Sequence, residues 1–75
     1  MTPRLPTISS KEMMKALLKA DFYIHHQTGS HIILKREFDK KRVTLPFHNI
    51  DLHRGIVKSI LNQAGLNEEK FLKLL

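Results

Sequence analysis

The chain has no cysteine and no tryptophan, and only three glycines and three prolines in 75 residues. Without cysteine there is no disulfide framework and no thiolate metal site, and a reducing cytoplasm fits such a composition. Long hydrophobic runs are missing too. The opening Met1-Thr2-Pro3-Arg4-Leu5-Pro6 holds none, so neither a signal peptide nor a membrane span is expected. The length suits one domain spanning residues 1–75, with no room for a second core. An apolar share of 41% is ordinary for a globular chain and argues against disorder.

Acidic residues are scarce. Seven stand against thirteen lysines and arginines, a formal net charge of +6. The excess is concentrated between His31 and Lys58, where Lys35, Arg36, Lys40, Lys41, Arg42, Arg54 and Lys58 face only Glu37, Asp39 and Asp51. A balance this basic in a short chain favours an anionic partner, nucleic acid ahead of a membrane surface. A solvated charged surface is the plainer alternative.

The elements can be read in order. Ser9-x-x-Glu12 is a capping box, and Ile8 before it can staple onto Met13. Met13, Met14, Leu17 and Leu18 then form an apolar helical stripe that ends near Ala20, with Lys11, Lys15 and Lys19 on another side. Three short strands follow, over 22–27, 31–38 and 42–46, separated by Thr28-Gly29-Ser30 and Asp39-Lys40-Lys41. Gly29 can take a positive φ cheaply at the first turn. Short connections make the strands antiparallel neighbours. Alternation turns Ile32, Leu34, Val43 and Leu45 toward the helices and His31, Ile33, Lys35, Arg42 and Thr44 onto an open face.

A second helix is expected to begin between Leu52 and Gly55 with Asp51 as its N-cap. Ile56, Val57, Ile60, Leu61 and Ala64 form its buried stripe, Arg54, Lys58 and Asn62 its exposed side, and Gly65 its stop. Asn67 then caps a short last helix whose Phe71, Leu72 and Leu75 pack back. The expected core unites Met13, Leu17, Ile32, Leu34, Val43, Ile56, Ile60 and Leu61. The fold class is α+β, a three-stranded antiparallel sheet with helices on one face, in the α-β-β-β-α layout of double-stranded RNA-binding domains.

Five histidines invite the question of metal, but no His-x-x-x-His or carboxylate-bracketed set stands on one element, so no metal ligands and no cofactor are expected. His25 and His26 alternate across the first strand, so at most one shares a face with His31. Ser30 reads as a turn residue rather than a nucleophile, since no base–orienter chain accompanies it. His48 reads as a structural hydrogen-bonding residue. His31 stands apart: an imidazole, able to take or give a proton, at a strand start among cations suits acid–base chemistry on a polyanion.

In this order and spacing the residues resemble the HicA (YcfA-like) toxins of bacterial toxin–antitoxin pairs. The resemblance rests on Leu5-Pro6, Lys11-Glu12, Ala16-Leu17, Gly29-Ser30-His31, Leu45-Pro46-Phe47-His48, Gly55 and the run Ile60 to Leu66. Three positions depart from the family pattern: Asp21 stands where a glycine usually precedes the first-strand aromatic, His26 where arginine is frequent, and Ile56 where threonine commonly follows Gly55. The resemblance implies a small ribonuclease that cleaves messenger RNA, blocks translation and is held silent by a HicB antitoxin. It places the essential histidine at His31. Charge and position nominate Lys35, Arg42, Arg54 and Lys58 for contacts to the RNA. Two other readings of the same residues are a non-catalytic double-stranded RNA-binding module and a basic scaffold piece that docks through its bare sheet face.

Overall fold

A computed structural model describes residues 7–47 and 51–75. Leu5-Pro6 and His48 lie outside the described residues. The elements run β1 (Ile8–Ser9), α1 (Ser10–Lys19), β2 (Tyr23–Gln27), β3 (His31–Arg36), β4 (Lys41–Pro46), β5 (Asp51–Leu52), α2 (Arg54–Ala64) and α3 (Glu68–Leu74). Strands β2-β3-β4 form an antiparallel sheet in chain order, so the fold is α+β with the expected α-β-β-β-α layout. A second, two-stranded ribbon pairs β1 with β5, Ile8 opposite Leu52. Two-residue strands are too short to show a period, which is why the ribbon is invisible in sequence. Among the described residues, no helix is long and apolar enough to cross a membrane.

Helix α1 starts as its sequence dictates. Ser9 Oγ accepts the Glu12 N–H at 3.1 Å, and the Glu12 carboxylate accepts the Ser9 N–H at 3.2 Å. Such a cap contributes about 1 kcal/mol. Ile8 and Met13, on either side of it, are both fully buried. The helix ends in a Schellman motif: Asp21 N–H donates to Leu18 O and Phe22 N–H to Leu17 O. Closing that motif puts Asp21 at φ +72°, in the left-handed region. Glycine would take this conformation without a β-carbon penalty, and aspartate is among the few side chains that tolerate it.

Helix α2 is capped differently from the expectation. His53, not Asp51, is the N-cap, and its side chain makes no capping bond. Asp51 is drawn two residues upstream into β5, opposite Ser9, by the ribbon. Gly65 ends the helix at φ +69°, with its N–H and that of Leu66 closing onto Asn62 O and Leu61 O. Asn67 caps α3 by accepting the Lys70 N–H at 2.7 Å.

The core joins α1 and α2 to one sheet face. Met13, Leu17, Ile32, Leu34, Val43, Leu45, Val57, Ile60, Leu61, Ala64 and Phe71 are all buried. Three residues expected to pack inward differ, Leu72 staying half-buried outside the core. Ile56 is only half-buried, because it sits at the margin of the Val57–Ile60–Leu61–Ala64 stripe. Leu75 is 47% exposed, since it lies past the end of α3 and Leu74, three residues from Phe71, packs on the core instead.

One buried charge links these parts. The Arg36 guanidinium donates to Ala20 O (3.0 Å) and Ala64 O (2.9 Å), the carbonyls at the C-terminal ends of α1 and α2. It also forms a two-point pair with Asp39 and lies 4.5 Å and 4.7 Å from the ring centroids of Phe22 and Phe38. A cation suits the negative end of two helix dipoles. Counted with the other central cations, Arg36 adds to the charge of the chain, but its geometry is that of a structural tie.

Candidate functional site

The β2–β3 turn presents His31. Thr28 closes the turn, its N–H and its hydroxyl both donating to His31 O at 2.9 Å and 3.2 Å. Phe47 N–H donates to Ser30 O, and Ser10 Oγ donates to Pro46 O, so the end of β4 and the start of α1 hold the hairpin tip. Gly29 does not use the conformational freedom expected of it, for Gly65 is the only glycine among the described residues with a left-handed φ. A β-carbon on Gly29 would meet nothing within 4 Å.

His31 is exposed and lies opposite Pro46 in the ladder. Its Nδ1 is 3.0 Å from Ser30 Oγ. Among the described residues Nε2 makes no hydrogen bond, so it is the nitrogen left to meet a ligand. When Nδ1–H donates to the serine oxygen, neutral Nε2 carries a free lone pair, the state of a general base. Ser30 thus lies in the turn, as expected, with its hydroxyl against the imidazole.

Alternation along β3 and β4 works as expected. Ile32, Leu34, Val43 and Leu45 are buried, while His31, Arg42 and Thr44 are exposed and Ile33 and Lys35 half-buried on the open face. Lys35 lies directly opposite Arg42 on one side and Tyr23 on the other. Strand rise puts this row about 13 Å from His31. Strand β2 departs from simple alternation. Its register slips by one residue between Ile24 and His26, making His25 the extra residue. His26 then faces the same way as Ile33, and His25 lines a hollow with Lys35 and Arg42. Both histidines thus belong to the open face, where strict parity allowed only one.

That hollow, about 440 Å³, lies at the end of the sheet away from His31 and is lined also by Tyr23, Glu37, Lys40 and Lys41. The Tyr23 hydroxyl donates to the Glu37 carboxylate. This bond pushes the Tyr23 phenol up and holds the Glu37 carboxyl below its usual range, with Lys40 adding to the latter. Sequence reasoning singled out Lys35 and Arg42 but not Tyr23 or His25, since only the strand register reveals their company.

Arg54 and Lys58 are exposed on α2, on the helix side of the sheet, and do not share the open face with His31, Lys35 and Arg42. Gln63 Oε1 accepts the Thr44 N–H, and Gly65 lies beside Lys41 at the start of β4. Helix α2 therefore runs back along β4, and its first turn, with Arg54, points toward the end of the sheet that carries His31. Among the described residues no three histidine, aspartate or glutamate side chains converge as a metal-binding group.

Residues 10–66 match the family described as HicA toxin of bacterial toxin–antitoxin. The chain belongs to the HicA toxin family. No curated protein matches it. The matched stretch runs from the first residue of α1 to just past Gly65, and so contains the whole sheet, the His31 hairpin and α2. As a HicA-family chain it is a toxin of a toxin–antitoxin system, and its partner is an antitoxin.

Proposed function

We propose that this toxin is a metal-independent endoribonuclease that cleaves messenger RNA in the cytoplasm, inhibits translation and is neutralised in a hetero-oligomeric complex with a HicB-like antitoxin. The observation that carries the reading is His31, exposed on the open face with Nδ1 against Ser30 Oγ and Nε2 free, on one surface with Lys35 and Arg42. RNA brings its own nucleophile. Neutral His31 Nε2 takes the proton of the 2′-hydroxyl while that oxygen bonds to the adjacent phosphorus, and the bond from phosphorus to the 5′-oxygen breaks. The products are a cyclic 2′,3′-phosphate and, once the leaving oxygen is protonated, a 5′-hydroxyl. No metal is needed for this route.

Lys35, Arg42, Arg54 and Lys58 are the proposed contacts to phosphate, and residues 1–75 act as one unit that both binds and cuts. A single general acid–base group contributes about 10²–10⁴-fold, so turnover is slow. The antitoxin covers His31 and the neighbouring cations with acidic or hydrogen-bonding groups. The double-stranded RNA-binding layout favours a second reading, binding without cleavage. Induced expression of wild type beside His31→Ala, with growth and RNA integrity followed together, separates them. The nuclease reading expects arrest and RNA loss only with wild type, relieved by co-expressed antitoxin. Arrest with intact RNA in both would leave the binding reading.

A further inference from the structure

We infer that the hollow beside Lys35 and Arg42 is a subsite for one unpaired nucleotide of RNA, with the phosphate on the two cations and the base stacked on the ring of Tyr23. It rests on the reading that the chain acts on RNA, and it adds a place, a ligand and a residue, Tyr23, to that reading. Three observations on the open face carry it.

The first is a like-charge pair. Lys35 and Arg42 are direct cross-strand partners, an arrangement that costs stability unless an anion lies between them. Of the nearby carboxylates among the described residues only Glu37 acts on this pair, attracting Lys35 from one side and leaving Arg42 without a carboxylate hydrogen bond. Asp39 is bound by Arg36, and Glu37 by the Tyr23 hydroxyl and Lys40. The second is the ring. Tyr23 is the other cross-strand partner of Lys35, is 38% exposed, and is held by its hydroxyl on Glu37. An aromatic face beside a cationic track is the usual platform for single-stranded nucleic acid, since every base has a π-face. The third is the space. A hollow of about 440 Å³ falls within the size of small-ligand sites, and Lys40 adds a third cation to Lys35 and Arg42 on a rim that also holds His25 and Glu37.

The row of Tyr23, Lys35 and Arg42 lies about 13 Å along β3 from His31. The nucleotide it holds is therefore not the one cut but a neighbour along the strand, and the subsite contributes affinity rather than chemistry. A base in a duplex is stacked on both sides by its neighbours and offers no free face. The subsite consequently selects single strands.

The test uses His31→Ala protein, so that RNA stays intact, and follows a fluorescent single-stranded oligoribonucleotide by anisotropy. Adding Tyr23→Ala should weaken binding about 5- to 100-fold, while Tyr23→Phe, which keeps the ring, should stay within about twofold. Lys35→Gln with Arg42→Gln should weaken binding as well and lower its salt dependence. A duplex of the same sequence should be indifferent to Tyr23. If the parent binds single strands and Tyr23→Ala binds equally well, the subsite is wrong and the RNA reading stands. Tyr23 dependence that is equal for duplex and single strand also overturns it. If the parent binds no RNA, the RNA reading fails and takes the subsite with it.

Discussion

Replacing Arg36 with alanine should cost this small fold much of its stability. The loss follows from what the guanidinium touches. Its bond to Ala64 O is buried and that to Ala20 O partly so, and a buried carbonyl left without a donor costs about 1–3 kcal/mol. Its stacking against Phe22 and Phe38 adds roughly 0.5–1 kcal/mol for each ring. Asp39, with a side chain 28% exposed, recovers water and limits the damage on that side. The net expectation is about 2–5 kcal/mol, from the buried carbonyl and the two ring contacts together. A domain of this length has a total of only about 4–11 kcal/mol. Arg36→Lys keeps the charge but not the planar fork, and should fall between the two. Urea unfolding followed by far-UV circular dichroism reads the loss as a lower midpoint at unchanged slope. Acid adds a second readout. Arg36 holds the Asp39 carboxyl below its usual range, so this pair stabilises the fold above the unfolded carboxylate pKa and stops doing so as pH falls through the lowered one. Arg36→Ala should flatten that acid limb. An unfolding free energy of Arg36→Ala within about 0.5 kcal/mol of wild type would refute the reasoning, since that is the range of ordinary surface changes.

Other outcomes follow from the same geometry. Asp21→Gly should stabilise the protein by about 0.5–1 kcal/mol in the same unfolding assay, because it relieves a left-handed φ of +72° at the end of α1. Ser30→Ala should lower kcat for RNA cleavage roughly 2- to 10-fold at steady KM, the value of one hydrogen bond, and should change the tautomer balance of His31 seen by nitrogen NMR; Ser30→Thr should restore both. Arg54→Gln with Lys58→Gln should weaken all RNAs alike and reduce the salt slope by about one for each phosphate no longer neutralised, as read by binding titrations at several salt concentrations.

Local signals were legible in the chain wherever a short motif acts alone. The Ser9–Glu12 box, the Gly65 stop, the Asn67 cap and the alternation of β3 and β4 all behave as written in the sequence. What escaped depends on partners far along the chain. Asp51 resembles a cap until Ser9, forty-two positions earlier, takes it into a ribbon. The slip at His25 is a property of pairing with β3, so parity could not place both histidines. Arg36 reads as one cation among many, and only the meeting of two helix ends makes it a tie. At the candidate site the sequence brings out His31 and the cations, while the Ser30 contact and the company of Tyr23 emerge only from the folded chain. The left-handed backbone at Asp21 lies between these cases, since a capped helix followed by a strand predicts the turn but not the strain.

The central claim, that His31 cuts RNA without metal, is tested most directly by the products of purified toxin acting on RNA in EDTA. The expected result is cleavage that persists in the chelator, ends in cyclic 2′,3′-phosphate and 5′-hydroxyl, spares DNA of the same sequence, and falls at least about 100-fold in a folded His31→Ala protein. Equal cleavage by His31→Ala and wild type, at equal thermal stability, would contradict it.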